Sequence, residues 1–138
     1  MRKVAKRSDC PISYALDLLG DKWTLLILRD IALNNKHFFK DFLEGGEGVA
    51  TNVLSDRLKL LESFGLIKSK PYAPNKRMKF YALDCKGIEL IPVLIELWVW
   101  GARNDPNSTV TPETLEGRLA RRAELIDQYT QNAKQAGG

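Results

Sequence analysis

Between residues 65 and 84 the hydrophobic period of this chain switches from helical to extended and back again. LIKSKPY at 66–72 sets Lys68 and Lys70 opposite Ile67, and MKFYAL at 78–83 is rich in aromatic residues. Both stretches read as strands. Ala73-Pro74-Asn75-Lys76-Arg77 between them reads as a turn. The pair is a β-hairpin whose tip gathers Asn75, Lys76 and Arg77, with Lys79 close behind and no acid in PYAPNKRMKFY. Every other regular stretch is helical, so the expected class is mainly α with one small hairpin.

The helices divide cleanly. Asp9-Cys10-Pro11 starts one, because proline is tolerated at the first helical position, and Ile12, Ala15, Leu16 and Leu19 repeat along it. Gly20 stops it and Asp21 can cap the next, about 22–33, whose expected core face is Trp23, Leu26, Ile27 and Ile31. A short helix around 38–44 uses Phe38 or Phe39, Phe42 and Leu43, and GGEG at 45–48 is a turn. A fourth helix, about 51–64, places Leu54, Leu58 and Leu61 on one face and Asn52, Ser55, Asp56 and Lys59 on the other. After the hairpin, 84–101 reads as one long apolar helix, kinked or started late by Pro92. A linker, 103–108, leads to a final amphipathic helix of roughly 112–134, with Leu115, Leu119, Ile126 and Tyr129 on one stripe.

Helices three and four, joined by a tight turn and followed directly by a basic hairpin, form a winged helix-turn-helix pattern. That order explains the charged tip. Cations on a wing sit on the phosphate backbone or in a minor groove and release condensed counterions, adding affinity without reading bases. Thr51 and Asn52 stand at the start of helix four, where backbone N–H groups and the helix dipole favour a phosphate. Asn52, Ser55 and Lys59 point toward base edges, and asparagine pairs bidentately with adenine. Arg57, flanking the buried stripe, suits a phosphate or an internal carboxylate better than a base. Asp56 opposes phosphate unless it accepts from a cytosine amine or pairs with Lys59 or Lys40; Lys40 is counted with the same surface. The expected DNA-binding set is therefore Lys40, Thr51, Asn52, Ser55, Arg57, Lys59, Asn75, Lys76, Arg77 and Lys79.

The totals agree with this class. The 138 residues suit one domain with a real core, 44% apolar and 28% charged, as in a soluble protein. The net charge of +4 is compatible with an anionic partner. No apolar segment follows the basic start MRKVAKRSDC as in a secretory signal, and the apolar runs are short and contain charges, so no membrane span is expected. Two cysteines, Cys10 and Cys85, are too few for a disulfide scaffold and point to a reducing cytoplasm. No enzyme, cofactor or metal site is expected. The one histidine, His37, reads as structural or phosphate-facing, no cluster has metal-ligand spacing, and GGEG lacks the lysine and preceding strand of a phosphate loop.

Five segments together resemble the HxlR-type winged-helix transcriptional regulators. They are Cys10-Pro11, ALDLLGDKWTLLILRDI at 15–31, GVATNVLSDRLKLLESFGLI at 48–67, YALDCKGIELIPVL at 81–94, and Trp100-Gly101. The resemblance covers about 10–101, and it sets the expected divisions: a flexible basic arm over 1–9, the winged-helix domain over 10–102, and a linker with a C-terminal helix over 103–138. It implies bacterial homodimers on inverted-repeat operators in double-stranded DNA, with the N-terminal and last helices in the dimer contact. It also implies a recognition helix at 51–64 and a wing at 66–83. Many members carry serine where this chain has Ala50, which moves the expected helix cap to Thr51.

Cys10 stands at a helix N-terminus with Lys6 and Arg7 nearby, a setting that favours thiolate. Several members of the resembled family sense oxidants or electrophiles through a cysteine at this place, so Cys10 is the candidate sensor for an oxidant inducer. Two other readings stand beside these. A winged helix can bind protein instead of DNA, and a regulator can respond to a small apolar molecule near Trp98 or Trp100 without thiol chemistry.

Overall fold

The computed structural model describes residues 7–138; the expected arm over 1–9 therefore lies, for 1–6, outside the described residues. The elements run α1 (Pro11–Leu19), α2 (Lys22–Leu33), α3 (Phe39–Leu43), α4 (Thr51–Ser63), β1 (Ile67–Tyr72), β2 (Asn75–Leu83), α5 (Cys85–Ile88), α6 (Ile91–Asn104), α7 (Pro112–Ala120) and α8 (Arg122–Gly137). The two strands form one antiparallel sheet. A mainly helical chain with one hairpin is thus what the structure shows.

Asp21 caps α2, accepting from Trp23 N at 2.7 Å. The core stripe of α2 is centred on Leu28, wholly buried, with Ile27 and Ile31 beside it; Trp23 and Leu26, expected there, are only half-buried. Against this stripe lie Leu54, Leu58 and Leu61 of α4, all buried, at about 1.5–3 kcal/mol each. Ile67, Leu83 and Ile91 close the core from the hairpin and α6.

Gly65 ends α4 in the left-handed region at φ 78°. Its N–H donates to the Glu62 carbonyl at 3.1 Å, and the Leu66 N–H donates to the Leu61 carbonyl at 3.0 Å. This Schellman closure turns the chain straight from α4 into β1, so one glycine sets the angle between helix and wing.

Three expectations need correction. The 84–101 segment is not one helix: α5 ends at Ile88 and α6 begins at Ile91, so of the two effects expected of Pro92 the late start is the one found, with Pro92 in the first turn, where the missing N–H costs nothing. The single C-terminal helix also divides. Arg121 leaves helical geometry at φ −106°, ψ 17°, which separates α7 from α8. α7 lies beside α6, and α8 turns back over β2, α6 and α2, packing Ala133, Leu125, Ile126 and Tyr129 against the core. Finally, the hairpin turn is only Ala73-Pro74, since Asn75 already pairs with Tyr72. The register then passes from Tyr72↔Asn75 to Pro71↔Lys79, so Lys76, Arg77 and Met78 have no partner on β1 and bulge from the ladder.

Gly87 of α5 packs against the hairpin base: a Cβ there would lie 2.1 Å from the Leu66 carbonyl oxygen. Gly87→Ala should lower stability by about 1–3 kcal/mol in urea unfolding. Gly101→Ala, where an added Cβ meets nothing within 4 Å, should be neutral to stabilising. Equal losses for both would contradict the packing described.

Candidate nucleic-acid interface

With Leu54, Leu58 and Leu61 turned inward, helical geometry turns Asn52, Asp56 and Lys59 outward, and all three are exposed. Ser55 is half-buried beside them. α4 begins at Thr51 with Ala50 as its cap residue, and Ala50 makes no side-chain cap. The expected shift of the cap to Thr51 therefore does not occur, because Thr51 is already helical. Among the described residues no side chain caps the first-turn N–H groups of α4.

Between α3, α4 and the wing runs a groove of about 520 Å³. Lys40, Ser55, Lys59, Arg77 and Lys79 line it, over a floor of Phe38, Phe39, Leu58, Met78 and Tyr81. Five of the ten expected contact residues, from three separate segments, thus meet at one place. Thr51 and Asn52 lie exposed at the head of α4, and Asn75 and Lys76 lie exposed at the wing. The Asn75 side chain accepts from Arg77 N at 3.2 Å and so shapes the bulge. The apolar floor was not anticipated from the sequence, nor was Glu62 at its edge, which accepts from Ser69 Oγ. Burial, together with Glu62's charge, pushes the Tyr81 phenol up.

Arg57 is placed elsewhere. It lines a different cleft, with Leu16, Asp17 and Thr24 on the α1–α2 side of α4. Its guanidinium donates to Asp21 Oδ2 at 2.7 Å and to Asp56 Oδ2 at 2.5 Å. The hydrogen bond to Asp21 is the main cause that lifts the Arg57 pKa, and the same bond holds the Asp21 carboxyl below the usual carboxylate range. Arg57 is therefore an internal brace between α4 and the start of α2, the carboxylate alternative anticipated for it. Asp56 finds its partner in Arg57, not in Lys59 or Lys40, because its immediate neighbour reaches it at no entropic cost beyond its own ordering.

A second network fixes the turn between α3 and α4. Arg29 donates to Glu47 at 2.6 and 3.0 Å and to the buried Asp30 at 2.8 and 3.1 Å. The hydrogen bond from Arg29 holds the Glu47 carboxyl below its ordinary range. His37 is structural: its ring nitrogens contact the Tyr81 carbonyl at 2.8 Å and Asn35 Oδ1 at 2.9 Å, and it stacks on Phe80 at 4.4 Å.

The cations thus sort by place. Arg29 and Arg57 are paired with acids, whereas Lys40, Lys59, Lys76, Arg77 and Lys79 have no ion pair among the described residues.

Cys10 is exposed and precedes Pro11 at the head of α1. Arg7, expected beside it, pairs with Asp17 at 2.8 Å, and Lys6 lies outside the described residues. Among the described residues no His, Cys, Asp and Glu group could hold a metal ion, and no helix is long and apolar enough to cross a membrane.

A short helix, a tight turn, a second helix with an outward polar face, and an adjoining wing define a winged helix-turn-helix protein. The chain belongs to the HxlR-like helix-turn-helix family, whose pattern matches residues 18–109, and it is a transcriptional regulator of helix-turn-helix type. It is 35% identical, over 76% of its length and 93% of the relative's, to an uncharacterised HTH-type transcriptional regulator of Halalkalibacterium halodurans. Among solved structures it resembles the redox regulator HypR in its oxidised form, with a TM-score of 0.61 and 27% identity, covering 69% of this chain and 97% of that one. It also resembles the reduced form of the transcriptional regulator YodB from B. subtilis, with a TM-score of 0.55 and 28% identity, covering 70% and 95%.

The Asp21–Arg57 brace can be separated from the Asp21 cap. Asp21→Asn keeps a capping oxygen and should cost at most about 1 kcal/mol, whereas Asp21→Ala loses cap and charge and should cost about 1–2 kcal/mol. Because the folded-state pKa of Asp21 is lowered, its contribution is present above the unfolded value and is lost as pH falls through the lower folded one. Urea midpoints below pH 4 should therefore converge for wild type and Asp21→Asn. A constant gap would mean that the ion pair contributes nothing.

Proposed function

We propose that this chain is a homodimeric, sequence-specific regulator that reads an inverted-repeat operator in double-stranded DNA. The observation that carries the reading is the partition of charge around the α4–wing groove. The arginines that brace the fold are neutralised by carboxylates, while the groove and wing keep Lys40, Lys59, Lys76, Arg77 and Lys79 without ion pairs among the described residues. Four of these cations, Lys40, Lys59, Arg77 and Lys79, converge on one groove from three separate segments of the chain, which suits an extended anion. In this reading Asn52 and Ser55 face base edges, Thr51 and the open first turn of α4 meet a phosphate, and the wing cations follow the backbone. Arg57 acts by holding α4 in place.

The dimer is supported by apolar side chains that one winged helix leaves uncovered. Ile12 and Leu16 on α1 are 71% and 53% exposed, and Leu97 and Trp100 on α6 are 48% and 68% exposed. Twofold pairing through these helices would bring two copies of α4 to successive turns of DNA. Cys10 heads α1, so its oxidation would act at this seam; HypR, the redox regulator that the fold resembles, favours that role over a purely structural thiol.

Arg77→Ala should weaken binding to every duplex alike and reduce the salt slope by about 1. Asn52→Ala should cost about 1–3 kcal/mol on the preferred site and relax one base position per half-site. Titrations against specific and random duplexes at several salt concentrations separate the two. Unchanged binding by Arg77→Ala would remove the wing from the interface. Oxidant should change the affinity of the wild type and leave Cys10→Ser unaffected; an equal response in both would exclude Cys10 as the sensor.

A further inference from the structure

We infer that the C-terminal extension builds a ligand site for a small carboxylate with an apolar body. The site is a cleft of about 190 Å³ lined by residues from α2, α6, α7 and α8. Its apolar wall is Ile95 and Trp98 of α6 with Leu125 and Tyr129 of α8, and Arg118 and Arg122 bring positive charge to it. Residues of α7 and α8 lie beyond the 18–109 segment that matches the family, so this cavity lies between the shared domain and the extension.

The arginines of the wall, Arg118 above all, point to an anion. Arg118 lies over the Trp98 ring at 4.3 Å and has no carboxylate partner among the described residues. A guanidinium held over a ring with no carboxylate partner keeps N–H donors for an anion. Arg122 also lines the cavity, and its Nη1 forms an ion pair with Glu96 at 3.0 Å. Arg29 also lines the cavity, but its donors are taken by Glu47 and Asp30. The volume selects the body: it is near the roughly 150 Å³ of an apolar cavity that takes a benzene ring. A benzoate-sized acid fits both charge and space.

The position also gives the ligand a lever. It would tie α7 and α8 to α6, the helix that carries the exposed Leu97 and Trp100. Such a ligand would be an effector, a role that rests on the DNA-binding reading above, whereas the site itself does not.

Calorimetric titration of the full chain with benzoate tests the site, with benzamide as the neutral analogue and acetate as the carboxylate without a body. Benzoate should bind at millimolar concentration or below, with benzamide and acetate each at least about tenfold weaker. Arg118→Gln should weaken benzoate by a similar factor while leaving the thermal midpoint of the free protein nearly unchanged. Equal binding of benzoate and benzamide, or no benzoate heat at all, would overturn the site. Benzoate binding that leaves affinity for a bound duplex unaltered would keep the site and overturn the effector role; absence of any duplex binding would count against the DNA reading instead.

Discussion

The leucine stripe of α4 is the constraint on which the interface depends. Leu54, Leu58 and Leu61 are almost wholly buried against α2, and a helix can bury only one face. Once those three side chains are committed, the outward direction of Asn52 and Lys59 is no longer free. The Schellman closure at Gly65 then passes this orientation on to the hairpin, because the wing leaves α4 with no flexible linker between them. α4 and the hairpin therefore form one continuous surface whose geometry is set by core burial.

Electrostatics refines that surface more than it holds it together. The Asp21–Arg57 and Arg29–Glu47 pairs are partly exposed, so each contributes modestly. Their larger effect is to decide which cations are spent inside the protein. The Asp21–Arg57 brace joins two of the segments that carry the family resemblance, since Asp21 stands in GDKW at 20–23 and Arg57 in the leucine-rich run of α4. The net charge of +4 understates the groove, because the braces pair arginine with acid at the edges of the core while the lysines of α3, α4 and the wing form no ion pair among the described residues, with Glu62 the one acid lining the groove.

Much of this was legible in the sequence. The leucine spacing, the change of period at the hairpin, the Asp21 cap and the Gly65 stop are local signals, and local signals survive folding. The misreadings came from long-range packing. Nothing in the local pattern of 112–134 announces a break at Arg121; it follows from α7 lying on α6 while α8 turns back over β2. The bulge at Lys76, Arg77 and Met78 depends on where β1 pairs, which composition does not specify. Arg57 illustrates both sides: its place beside the buried stripe suggested an internal carboxylate, but only the fold identified Asp21, thirty-six residues away. The groove floor of Phe38, Phe39, Met78 and Tyr81 looked like ordinary core because hydrophobic residues carry no mark of which space they will line.

The central claim is that α4 and its wing form a DNA-reading surface presented twice by a symmetric pair. Selection of bound sequences from a random duplex pool, with reduced protein, tests it most directly. The account predicts enrichment of an inverted repeat whose half-sites are about one helical turn apart, bound with an affinity that falls steeply with salt. Weak binding to all duplexes with no enriched sequence would contradict it, and would favour a winged helix that recognises protein.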